Sequence, residues 1–149
     1  MIVIGVGNAW RGDDGAGLAV ARRLAELSPA GVEVHEIEGD ATALMDVWSG
    51  ADRVVIVDAA QSGASPGTVR RFDVHAAALP ARLLRTSTHA FGVTDAIELA
   101  RALGRLPAAV DVYAIEGASF AAGDAMTPSV ERAAAALAVT LGAQSARFH

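Results

Sequence analysis

The stretch Met1-Ile-Val-Ile-Gly-Val-Gly-Asn-Ala-Trp-Arg-Gly-Asp-Asp-Gly-Ala-Gly17 leaves the chain few options: an apolar run stops in glycines and reopens as a helix behind two carboxylates. Residues 1–6 are rich in Ile and Val and apolar without alternation, the pattern of a parallel strand covered by helices on both faces. From Asp14 the period changes. Leu18, Ala21, Leu24 and Leu27 recur at helical spacing, which predicts an amphipathic helix beginning near Asp13 or Asp14. The junction is a strand-loop-helix turn, and its glycines let the backbone approach a small charged ligand closely.

The turn's own side chains decide the sign of that ligand. A helix N-terminus attracts anions, so a glycine-rich turn first suggests phosphate. Asp13 and Asp14 would repel it, no Gly-Lys-Ser/Thr follows as in a P-loop, and Trp10 stands where the third glycine of a dinucleotide fingerprint belongs. The turn therefore reads as a rim facing a cation. Taken in isolation, the turn is better read with Asp13 as a helix cap and Asp14 as a first-turn acid favoured by the helix dipole.

Composition narrows the chemistry. The 149 residues fit a single domain spanning 1–149, and a hydrophobic fraction of 52% supplies its core. Net charge is -5 and all twelve basic residues are arginines without a long run, so no nucleic-acid partner is expected. The absence of lysine excludes Schiff-base and P-loop mechanisms. It also excludes a phospho-acceptor receiver domain, which an acid pair after strand one would otherwise suggest, because receivers neutralise their acyl phosphate with a lysine. Without cysteine, any metal must take His, Asp or Glu. No charged leader precedes the first apolar run, which is too short to span a bilayer, so the expectation is a cytoplasmic protein with no membrane contact.

Further along, residues 32–37 alternate imperfectly as an edge strand, and 41–48 are compatible with a short helix. Residues 53–58, Arg-Val-Val-Ile-Val-Asp, give the strongest strand signal and end in a carboxylate. Residues 68–74 alternate like a half-exposed strand, whereas 76–85 are ambiguous. A helical stripe of Val93, Ile97, Ala100 and Leu103 marks 91–103 and is stopped by Gly104 and Pro107. Residues 109–116 form a strand ending at Glu116, and 130–141 a last helix. Such alternation predicts a mostly parallel sheet with helices on both faces, whose ligands bind beyond the carboxyl ends of the strands.

On that rim Asp14, Asp58 and His89 would converge as two hard oxygens and one imidazole, a set suited to Zn or Ni with coordination positions left open. Singly, Asp58 reads equally as an acid capping a neighbouring loop and His89 as a helix cap within Ser87-Thr-His. His35, His75 and His149 read as solvated, as do Glu36, Glu38 and Asp40. Glu116 stands behind the rim, and Trp10 either shields the pocket or packs.

Gly5-Val-Gly-Asn-Ala-Trp-Arg-Gly-Asp-Asp-Gly-Ala-Gly17, Val55-Ile-Val-Asp-Ala59, Ser87-Thr-His-Ala-Phe-Gly92 and Ile115-Glu-Gly117 together resemble the hydrogenase maturation proteases. The resemblance implies a three-layer α/β/α sandwich, phosphorylase/hydrolase-like, around a five-stranded, mostly parallel twisted sheet. Its one antiparallel strand we place at residues 68–74. It also implies an aspartyl-type endopeptidase that removes the C-terminal extension of a hydrogenase large-subunit precursor once nickel has been inserted.

By position, Asp14, often Glu in the family, Asp58 and His89 match the metal-binding and catalytic set. The nickel arrives with the substrate, and zinc or cadmium could substitute for it. Gly7, Asn8, Asp13 and Glu116 are the candidates for positioning substrate, with Asp13 chiefly the helix cap that holds Asp14 in place. Two departures stand out. Many members carry Asp-Gly-Gly-Thr where this chain has Glu36-Ile-Glu-Gly-Asp-Ala-Thr42, and Asp14 is one methylene shorter than Glu. The rival reading is a non-catalytic metal- or cofactor-sensing module, or a chaperone for a metalloenzyme precursor.

Overall fold

The Ile- and Val-rich runs assemble into one sheet, seen in a computed structural model that describes residues 1–85 and 91–146. In chain order the elements are β1 (Ile2–Gly7), a 3-10 turn (Gly12–Gly15), α1 (Ala16–Leu27), β2 (Glu33–Glu38), α2 (Leu44–Val47) and β3 (Arg53–Ala60). There follow β4 (Val69–Asp73), α3 (Val93–Leu103), β5 (Ala109–Glu116) and α4 (Pro128–Ala146). The strand order is β2-β1-β3-β5-β4, with β4 antiparallel to β5 and the other pairings parallel. This is the mostly parallel five-stranded sheet expected, with its reversed strand where residues 68–74 were predicted.

That order positions the site. The chain leaves β1 through α1 to reach β2, then returns across β1 through α2 to β3. The two crossovers lie on opposite faces and diverge beyond the carboxyl ends of β1 and β3, which opens a crevice there. Side-chain alternation supplies a core on each face. Val3, Val55, Val57 and Ile115 meet α1 and α4 through Val20, Leu24, Val130 and Leu141. Ile4, Val6, Ile56 and Val112 meet α2 and α3 through Leu44, Trp48, Val93 and Ile97. Burial on both faces is why β1 and β3 show no polar alternation. The half-exposed β4 does alternate, turning Phe72 inward while Arg71 pairs with Asp111 at 3.0 Å.

Three boundaries differ from expectation. The first helix begins only at Ala16, because the 3-10 turn takes Gly12–Gly15 and Asp14 N donates to Arg11 O, three residues back. β3 runs two residues past Asp58, since β5 continues far enough to pair with Ala59 and Ala60. α2 is one turn long, held by Ala41 N donating to Phe91 O at 2.8 Å. Residues 76–85 form no regular element beyond a bridge between Ala60 and Leu84, yet they bury Leu79, Leu83 and Leu84. Among the described residues no helix is long and apolar enough to cross a membrane.

α1 sits lowest on the sheet at Gly17, where a Cβ would collide with the carbonyl oxygens of Val57 and Val6. Gly142, inside α4, meets only ordinary van der Waals neighbours at 3.6–3.9 Å. The two glycines therefore predict opposite signs. Gly17→Ala should destabilise by about 1–3 kcal/mol through overpacking. Gly142→Ala should stabilise by about 0.5–1 kcal/mol through helix propensity. Urea titrations read both as midpoint shifts at unchanged slope.

Candidate active site

Beyond β1 the chain is laced back onto itself. Asn8 N donates to Asp14 O at 3.1 Å, Arg11 N donates to Asn8 O at 3.2 Å, and Gly39 N donates to Gly7 O at 3.1 Å. Only glycine fits at position 7, where a Cβ would strike the Asp14 carbonyl oxygen. Asp14 is thereby clasped against the strand end.

Its neighbour turns the other way. Asp13 is fully buried, and its carboxylate accepts from the backbone amides of Ala118 (2.8 Å), Ser119 (2.9 Å) and Thr127 (2.7 Å) and from the Thr127 hydroxyl (2.7 Å). Burial pushes its pKa up, but these donors outweigh burial and hold it below the ordinary aspartate value. Asp13 is therefore no cap of its own helix, which has no side-chain cap. Its carboxylate ties the turn to the loop between β5 and α4, because four donors there offer more than the single amide of an N-cap.

Register explains where Asp58 stands. β1 pairs with β3 only as far as Gly5↔Val57, while β5 accompanies β3 through Asp58↔Ala114 and beyond. Asp58 is thus the first residue of β3 past its pairing with β1, at the mouth of the crevice. It is 4% exposed and accepts from Ala59 N at 2.8 Å. Burial drives its pKa well above the ordinary value against the Ala59 amide, and the charge of Asp14 raises it further. Burial also raises the pKa of Asp14, opposed by Arg85, Arg11 and the Asn8 amide. The two carboxylates feel each other inside a cleft of about 410 Å³, lined also by Gly7, Asn8, Asp40 and Arg85.

Arg85 escaped sequence reasoning. Its Nε lies 3.8 Å from Asp14 Oδ1, its Nη1 donates to Gln61 Oε1 at 3.4 Å, and its guanidinium lies 4.4 Å from the centroid of the Phe120 ring. The one available signal was a charged residue just before the Thr86-Ser-Thr-His89 segment. Arg85 and Phe91, which bracket residues 86–90, both line the cleft. His89 lies outside the described residues, as does His149. Among the described residues no three His, Asp or Glu side chains are grouped to hold a metal, so Asp14 and Asp58 are the described part of the expected set.

The other candidates have definite places. Glu116 is 2% exposed and accepts from Ser62 N at 2.9 Å and from the Ser62 hydroxyl. It holds the segment that carries Gln61. Asp40 is exposed as expected but also borders the cleft, accepting from Thr42 N at 3.1 Å. Trp10 is 72% exposed and so does not pack into the core. Glu36 and Glu38 pair with Arg22, His35 with Glu33, and exposed His75 with Pro107 O.

A three-layer α/β/α sandwich with two carboxylates and an arginine at its switch-point cleft defines an α/β protein with an acidic, largely buried pocket beyond the carboxyl ends of β1 and β3. The chain matches the hydrogenase maturation protease family over residues 19–143, and it belongs to that family. It is 29% identical over 111 residues to the hydrogenase expression/formation protein HupD of Rhodobacter capsulatus, covering 72% of this chain and 52% of that one. It is 35% identical over 88 residues to protein FrxA of Pyrococcus furiosus, covering 59% of this chain and 61% of the relative. The chain thus matches between half and two thirds of the length of these curated relatives. The structure superposes on the [NiFe] hydrogenase maturation protease HybD of Thermococcus kodakarensis with a TM-score of 0.72 and 29% identity, covering 96% of each chain.

The two buried acids predict opposite pH profiles in metal-free protein. Asp58 holds its proton where the unfolded chain has released it, so its burial costs stability as pH rises from the unfolded value toward the folded one, and the loss persists above. Asp58→Asn, which keeps an oxygen for the Ala59 amide, should raise the melting temperature at neutral pH, with the gain shrinking as pH approaches about 4. Asp13, with its depressed pKa, stabilises above the ordinary value and loses this as pH falls through the folded one. Asp13→Ala should cost about 3 kcal/mol or more at neutral pH, with a smaller deficit in acid. Thermal melts across pH check both profiles.

Proposed function

We propose that the protein is a cytoplasmic endopeptidase that removes the C-terminal extension of a nickel-iron hydrogenase large-subunit precursor after nickel insertion, recognising the nickel that the substrate carries. The observation that carries this reading is the Asp14–Asp58 pair at the switch-point cleft of a chain from this family. Two carboxylates gathered out of bulk water repel each other and hold on to protons; a divalent cation relieves both costs, so the donor set fits a substrate-borne nickel, with zinc or cadmium as substitutes.

In this reading Asp14 and Asp58 supply hard oxygens to the nickel of the docked precursor, and His89 supplies an imidazole. Held there, the substrate's nickel would supply Lewis acidity toward the scissile carbonyl or the attacking water. Gly7 and Asn8 border the cleft, but the Gly7 carbonyl and the Asn8 amide and carbonyl are already bonded internally. Substrate contact there falls to the Asn8 side-chain amide nitrogen, since Asn8 Oδ1 already accepts from Trp10 N at 3.0 Å. Asp13 and Glu116 position the site through the segments they fix, which carry Phe120 and Gln61, the two neutral partners of Arg85.

Mass spectrometry of the precursor tests this. The tail should leave nickel-loaded precursor only, and Asp14→Ala should slow its loss by about 100-fold or more, the scale of losing one transition-state contact. Equal cleavage of nickel-free precursor, or an undiminished Asp14→Ala rate, would overturn the reading. A stable complex with an uncut tail would point instead to a binding module.

A further inference from the structure

Two cations border the cleft among the described residues, Arg11 and Arg85. We propose that Arg85 is a specificity residue: its guanidinium holds the place of the metal beside Asp14, so that free divalent cations are kept out and only a cation delivered on a docked chain displaces it. The inference rests on Asp14 meeting a substrate-borne metal.

The geometry is that of a displaceable counter-charge. At 3.8 Å the Nε–Oδ1 separation is within Coulombic reach but longer than a hydrogen bond, so Asp14 has not closed on Arg85. The side chains of Arg85 and Asp14 are 23% and 16% exposed, dry enough for the pair to matter and wet enough for it to open. Arg85 has a second seat that does not involve Asp14: the face of Phe120 and the Gln61 oxygen already hold the guanidinium. It can release the carboxylate without leaving the surface.

Its root is fixed as well. Arg85 N donates to Ala59 O at 3.0 Å, one residue from Asp58. The Phe120 shelf belongs to the same loop that Asp13 ties down with its buried carboxylate. A free ion would have to displace Arg85 using only the coordination energy that the cleft's own donors, Asp14 and Asp58 among them, can supply. A metal carried by a precursor brings the binding energy of the whole docked chain to the same exchange. Arg85 therefore sets a threshold that favours metal in its protein context.

Calorimetric titration of the metal-free full chain with zinc and with cadmium tests this without any proteolysis. Arg85→Gln should bind each ion roughly tenfold more tightly than the parent, the scale of one partly desolvated charge pair. Arg85→Lys should stay near the parent, and adding Asp14→Asn to Arg85→Gln should abolish the gain. Equal or weaker binding by a folded Arg85→Gln overturns the inference. A measurement on the unsubstituted protein keeps the test open should that variant not fold. Cadmium saturation should shift the Arg85 Nε–H resonance as the ion takes Asp14, and an unmoved resonance overturns the inference. Should no precursor be cut whatever its nickel content, the peptidase reading fails while these affinities still decide the role of Arg85.

Discussion

A carboxylate placed beyond the reach of water must find donors, and much of this site depends on where Asp13 finds them. Its four donor groups, on Ala118, Ser119 and Thr127, lie more than a hundred residues away, in the loop between β5 and α4. That tie fixes the 3-10 turn against the far side of the sheet and leaves the next residue, Asp14, facing the cleft. Adjacent aspartates thus have unrelated duties. Asp13 is held ionised because its donors stabilise the charge, while burial opposes the charge on Asp14 and raises its pKa.

The cleft inherits the opposite balance. Asp58 emerges where β3 outlasts its pairing with β1, so a strand that is apolar from Val54 through Val57 delivers one acid to the crevice. It receives one backbone amide, and the nearby Asp14 adds repulsion. Arg85 offsets part of that charge from its seat on Phe120. The sheet ends and buried carboxylates frame the cleft, and in the exchange proposed above the Arg85 guanidinium is its one displaceable part.

Much of this is legible in the sequence. Unbroken Ile and Val runs betray strands buried on both faces, and alternation in 68–74 betrays the half-exposed reversed strand, because burial pattern and side-chain period are the same fact. The acids at strand ends are legible too, since open α/β sheets gather ligands there. What local pattern cannot show is a partner distant in sequence. Asp13 has the local signature of a helix cap, and only the fold brings residues 118–127 to it. Arg85 follows a segment without periodicity, and its partners Asp14, Gln61 and Phe120 come from three separate loops. The helix start slipped past Asp14 because glycines at 12, 15 and 17 weaken the α-helix and favour the tighter turn.

The central claim is that Asp14 and Asp58 meet the nickel of a docked precursor. Nickel-edge X-ray absorption on the complex with nickel-loaded precursor, trapped by a tail that cannot be cleaved, tests it most directly. The account predicts additional oxygen donors in the nickel shell on complex formation, and their loss when both aspartates are replaced by alanine. A nickel shell identical in the free and bound precursor would contradict it.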